Sequence, residues 1–230
     1  MSIKNKELFS VEVDGETLEL AVKRPNAMQT RQAKMVYAKV FREFVEAGAY
    51  VRVALDDIMR KKGLWDDDKD QKVSDLVQIL NDGQEKLRKG GIKKSEAQQI
   101  ALNMASARME LRALSAQRDE LDASTAEANA DNASFDYLAS VCIVYNDTGK
   151  PYFRDQEDYE NRREEEAAYK GAFILAKMQY RIGDDYYKSL PENRFLIEQG
   201  FLTLDDSDGK TEEPSLPFLN DDELEPTKDE

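Results

Sequence analysis

Ala97, Ile100, Met104, Ala107, Leu111, Leu114, Arg118 and Leu121 fall at alternating steps of three and four residues. A seam of that period, sustained for about three and a half heptads, forces the segment into one long helix whose apolar stripe must meet another helix. Two partners suit it: a neighbouring helix of the same chain, in an antiparallel hairpin, or a helix of a second chain, in a coiled coil. Ala97 and Ala107 leave the seam thin and Arg118 interrupts it, which favours the hairpin and leaves the coiled coil open.

Ahead of the helices stands a different pattern. In "FSVEV" and "TLELAV" apolar and polar residues alternate with period two, setting Phe9, Val11 and Val13 on one face and Leu18, Leu20 and Val22 on the other strand. Asp14-Gly15 between them suits a tight turn, so the segment predicts a β-hairpin. Two strands alone are marginal in water, so their apolar face must be covered by the following helices or by another protein.

Pro25 ends the second strand, and Asn26 with Gln29 three places later forms a capping-box pattern. Helical spacing then runs from about 27 to 62, with Gly48 as a bend or break and Gly63 as a C-cap. A shorter helix is predicted over 70–88. Ser95 with Gln98 suggests another capping box opening the heptad helix. The pattern continues through "STAEANADNASFDYLASVCIVY", whose β-branched end suits either helix or strand. Asp147, Gly149 and Pro151 mark a turn, a helix is predicted from 155 or 156 to 181, and one or two short helices close the body. The expected fold is therefore mainly α: a hairpin over 1–25, a helical body over 26–204 and a flexible acidic tail over 205–230. That body is expected to be one extended unit, with a division near Asn146 as the alternative.

Charge sits mostly in the tail. Of the chain's net −14, the segment 205–230 carries −9, eleven carboxylates against Lys210 and Lys228. The body is only mildly acidic, and no cluster of Lys and Arg suited to phosphates stands out, so nucleic acid is not an expected partner. Mimicry of DNA by acidity needs carboxylates spaced along one face, whereas here they crowd into the tail. No run of about 18 apolar residues is present, so a membrane partner is not expected either.

Chemistry is poorly provided for. The sequence has no histidine, which removes the usual general acid-base group and the commonest metal ligand. Its single cysteine, Cys142, lies in the apolar run "ASVCIVY" and reads as a small buried hydrophobe. "WDDDKD" gathers Asp66, Asp67, Asp68 and Asp70, but adjacent carboxylates point apart and nothing completes a metal site. "LDDSDGKTEEPS" imitates a calcium loop around Gly209, yet Leu204 and Ser215 occupy its first and last ligand positions. No catalytic residue, metal or cofactor is expected. Tyr145, Tyr152, Phe153, Tyr159, Tyr180, Tyr186 and Tyr187 suit either satellite core or partner anchors.

The segment "VEVDGETLELAVKRP", a hairpin over Asp-Gly closing in a basic residue and proline before a long helix, resembles the start of tail assembly chaperones of tailed bacteriophages. "GLWDDDKD", "KGGIKKSEAQQIALNM", "ASVCIVYNDTGKPYF" and "LPENRFL" are similar to a protein encoded by T4-like phages, marine ones especially. The resemblance implies a non-catalytic protein of the host cytoplasm during assembly, which covers helices of the tape measure protein until tail-tube subunits polymerise. Its docking surfaces would be the hairpin face, Phe9, Val11, Val13, Leu18 and Leu20, and the seam, Ile100, Met104, Leu111, Leu114 and Leu121. The alternative is a neck, tail or capsid accessory subunit of the virion, with neighbouring virion subunits or further copies of itself as partners.

Overall fold

The structure, a computed structural model, describes residues 5–13, 15–183 and 185–202. The acidic tail, with its calcium-loop-like stretch, and Asp14 of the hairpin turn lie outside the described residues. The fold is mainly α with an N-terminal antiparallel hairpin, as the periodicities predict. The chain divides into two compact units, each assembled from two stretches: 1–72 with 113–183, and 73–112 with 184–230.

The first unit opens with β1 (Lys6–Val13) and β2 (Glu16–Lys23), paired so that Phe9 lies opposite Leu20 and Val11 opposite Leu18. α1 (Ala27–Glu46) then begins at the predicted capping box: Asn26 Oδ1 accepts the Gln29 N–H and Gln29 Oε1 accepts the Asn26 N–H, both at 2.9 Å. The helix expected to reach residue 62 stops at Glu46 and restarts as α2 (Arg52–Lys62). Gly48 takes φ +91°, open to glycine at little cost, and the Ala49 N–H closes back onto the Phe44 carbonyl. The restart is held from outside, because the Glu127 carboxylate accepts the Arg52 N–H at 2.9 Å. At the far end Gly63, at φ +66°, caps α2 as its position after a lysine pair predicts.

α3 (Asp67–Lys89) and α4 (Lys94–Asp122) each belong partly to both units. Ser95, expected to cap α4, already lies within its first turn. α5 (Ala126–Cys142) is capped by buried Thr125, whose Oγ1 accepts the Ala128 N–H. α1 packs along α5. The end of "VCIVY" is β3 (Ile143–Tyr145), which pairs antiparallel with β2 and makes a three-stranded sheet of order β1-β2-β3. That pairing is why the first unit runs on past Asn146: the segment after the strand is tied to the same sheet, with Tyr152 N–H donating to the Ile143 carbonyl.

The helix predicted over 155–181 is two, α6 (Gln156–Asn161) and α7 (Glu166–Tyr180). Between them Arg162 turns inward. Its guanidinium bonds Glu165 and the Tyr152 hydroxyl at 2.7 Å and stacks over the Tyr152 ring. α7 covers the sheet, and the core joins Val11, Leu20 and Val22 to Leu138, Cys142, Ile143, Phe153, Tyr159, Ile174 and Leu175. Phe153 meets both Tyr152 and Tyr159 edge-on, so these aromatics are core or its margin rather than exposed anchors.

In the second unit α3 turns back into α4 across residues 90–93, placing Gly83 against Met104 and Ile100. α8 (Tyr186–Ser189) and α9 (Pro191–Glu198) complete it. A small core of Ala101, Leu196 and Leu202, flanked by Leu87, Phe195 and Phe201, holds these pieces together. Glu192, 1% exposed, is paired with Arg108 through both carboxylate oxygens.

Candidate interaction surfaces

Of the residues that sequence patterning marks for docking, Val11, Leu20 and Met104 are buried and the rest are half-buried or exposed. Leu20 and Val11 are buried in the sheet core, and Phe9 and Leu18 pack half-buried against it. Val13 is the member of that face left exposed. On α4, Met104 is buried while Ile100, Leu111, Leu114 and Leu121 are half-buried. The seam does not keep one partner along its length. Its first half lies against α3 near Gly83, and its second half runs into charge.

Arg118, the interruption in the seam, sits at the centre of that charge. It bonds Asp56 at 2.9 Å and Asp122 at 3.2 Å, while its guanidinium lies 5.3 Å from the centroid of buried Trp65. Arg60 continues the chain of alternating charges, bonding Asp56 at 3.0 Å together with Asp67 and Asp70. The Trp65 indole N–H donates to Asp70 at 2.7 Å. That indole bond first, and Arg60 second, holds the Asp70 carboxyl below the usual carboxylate range. Arg118 and then Arg60 do the same for Asp56. "WDDDKD" is thereby accounted for structurally: Asp66 accepts the Lys69 N–H at the start of α3, and Asp67 and Asp70 lock α2 to α3. Among the described residues no three acidic or cysteine side chains converge as metal ligands would. Burial pushes the Cys142 thiol up to about 12, far from the reactivity of a thiolate at neutral pH.

The outer strand β1 is guarded. Lys170 donates to the Ser10 carbonyl at 3.3 Å and Glu166 accepts the Glu12 N–H at 3.4 Å, so α7 occupies backbone groups that an added strand would need.

α7 carries the surface that patterning did not single out. Its buried residues, Ala167, Ala168, Gly171, Ile174, Leu175 and Met178, form one face. Tyr169, Phe173 and Tyr180, spaced by four and seven, fall within about 40° of one another on the opposite side. They are 73%, 45% and 75% exposed, and Lys177 lies 5.6 Å from the Phe173 ring centre. A sequence argument assigns aromatics to the core and small residues to solvent. Here the sheet comes too close for that: a Cβ on Gly171 would collide with Ile143 Cδ1. Gly171 lets this face of α7 approach β3 at Ile143, and the aromatics are turned outward. The signal was present in "AAYKGAFILAKMQY" as small residues at helical spacing, but its meaning depends on how near the strand lies.

Comparison of the chain with protein-family models, with curated proteins and with solved structures produced no match.

Proposed function

We propose that the chain is a non-catalytic assembly protein of a tailed bacteriophage, a tail assembly chaperone that binds helices of the tape measure protein in the host cytoplasm. The exposed aromatic row of α7 carries this reading: Tyr169, Phe173 and Tyr180 offer large, rigid apolar area on one side of a helix whose other side is anchored in the core. Such rings are the side chains that dominate recognition of another protein's helix. The hairpin-led helical body agrees with the resemblance drawn from the sequence. Catalysis by a thiolate or by histidine has no support in a chain whose one thiol is buried and which has no imidazole.

Docking is thus assigned first to α7, whose rings are more exposed than the half-buried residues of the hairpin face and the seam. The test is quantitative mass spectrometry of gradient-banded particles from the source phage, alongside recovery of the chain from infected lysate. Absence from particles together with co-recovery of the tape measure protein, lost in Tyr169→Ala/Phe173→Ala/Tyr180→Ala, supports the chaperone. Presence at the copy number of tube or capsid subunits overturns it in favour of a virion subunit.

A further inference from the structure

Within the second unit, α3 and α9 leave a cleft of about 340 Å³ between them. Its floor is apolar, made by half-buried Leu87, Phe195 and Pro191, and its rim is charged, with Arg88 on one side and Arg194 on the other. Arg194 bonds Glu198, also on the rim, at 3.0 Å. In sequence the end of α3 and the turn into α4 concentrate positive charge: Lys86, Arg88, Lys89, Lys93 and Lys94 fall within nine residues, and Arg88 among them lines the cleft. Glu85 pairs with Lys89, and Lys94 lies over the ring of Phe201, so this corner is basic overall.

The last described residue, Leu202, is buried in the same small core as Leu87 and Leu196. Beyond Leu202 the sequence runs into the acidic segment. Near its middle stands one apolar stretch, Leu216-Pro217-Phe218-Leu219, preceded by Glu212 and Glu213 and followed by Asp221, Asp222 and Glu223. Thirteen residues lie between Leu202 and Leu216, fourteen steps of chain with a reach of up to about 46 Å. An apolar core flanked by carboxylates is the complement of an apolar floor within a basic surround.

We propose that this cleft is the seat of the chain's own residues 216–219, held in cis, with the flanking carboxylates facing the basic corner of α3 and α4. The tether supplies affinity that the short contact would lack alone. At an effective concentration of about 1 mM, a contact with a Kd of about 0.1 mM is occupied roughly nine-tenths of the time. The inference does not rest on the proposed function, since it concerns only the chain's contact with itself.

Hydrogen exchange followed by mass spectrometry on the full-length protein tests it, comparing the natural sequence with Phe218→Asp/Leu219→Asp. Both substitutions leave Ala101, Leu196 and Leu202 of the small core as they are. Release of the segment should speed exchange of amides in 84–88 and 191–198 about tenfold, the ratio those two concentrations give. The same speeding in 0.5 M salt, to a smaller degree, would support the charged rim. Equal exchange in the natural and substituted proteins overturns the proposal. So does protection that grows with protein concentration, which would place the segment in a second copy. Leu224→Asp serves as a control that adds charge outside the apolar stretch: unchanged exchange supports the apolar seat, and speeding equal to that of the double variant overturns it.

Discussion

The two units reach stability by different means. The first has a continuous core in which three strands, α5 and α7 surround Leu20, Ile143, Phe153 and Leu175. The second has a smaller cluster at its centre, Ala101, Leu196 and Leu202, and sets a buried ion pair, Glu192 with Arg108, in the same unit. A core of packed hydrocarbon loses stability in proportion to the volume removed, whereas a pair buried next to a small core fails sharply when one member is lost. The first unit also buries a paired carboxylate, Asp136 with Arg163, but beside a larger apolar core, so loss of one charge removes a smaller share of what holds it together.

Phe153→Ala should break the comparison on the side of the larger core. Removing a fully buried ring that meets two others edge-on is expected to cost about 3 to 5 kcal/mol. Thermal unfolding by circular dichroism should fall steeply, with exchange accelerated across β2, β3 and α5. Arg108→Ala comes next, at about 3 kcal/mol, by leaving Glu192 buried without its partner. Its effect on exchange should be confined to 94–112 and 184–202. Arg108→Met with Glu192→Leu should recover most of the loss, and failure to recover would show that the pair does more than fill space.

One chemical change made in both units sharpens the contrast. Gly171→Ala and Gly83→Ala each drive a methyl into a neighbouring side chain, Ile143 in the first unit and Met104 in the second. Ile143 is buried, β-branched and held in a strand, so its χ1 is restricted, and a loss of about 2 to 3 kcal/mol is expected. Met104 is unbranched and flexible, and alanine's helix preference offsets about 1 kcal/mol, so Gly83→Ala should lie within about 1 kcal/mol of neutral. Melting temperatures of the two variants decide the matter.

The smallest effects concern pH. Asp70, held below the usual range by Trp65 and Arg60, contributes stability that is present above its unfolded pKa, near 3.9, and lost as pH falls through the lower folded value. Asp136 behaves oppositely. Burial raises its pKa despite its bond to Arg163, so its contribution is full below about 3.9 and declines as pH rises through the folded value. Asp70→Ala should cost about 1 kcal/mol or less and shift the emission of Trp65, the chain's one tryptophan, to the red. Asp136→Asn should flatten the decline in stability above about pH 4. Urea titrations from acid to neutral pH, read by Trp65 emission, distinguish the two signs.

Local chemistry was legible wherever it acts over a few residues. The Asn26–Gln29 box, the Gly63 cap and the facing strands of the hairpin stand where the sequence places them, because each is satisfied by groups within one turn or one tight reversal. Helix breaks were less legible. Gly48 marks the first, but no glycine or proline stands at the break after Asn161, where Arg162 bonds Tyr152 and Glu165. The candidate site was the least legible part. Phe9, Val11, Leu20 and Met104 have the composition of docking residues, yet period and polarity cannot say whether an apolar face meets its own chain or another.

By itself the sequence determined that this protein is mainly helical with a leading hairpin, that it lacks histidine chemistry, and that its negative charge gathers at the end. Side-chain type and spacing alone suffice for each of these. Only the tertiary structure decided that β3 joins the hairpin, that the heptad helix is shared between two units, and that α7 turns its alanines and Gly171 inward. That last choice is steric: Ile143 lies where no larger residue would fit, and the displaced rings of Tyr169, Phe173 and Tyr180 become the surface on which function is proposed to rest.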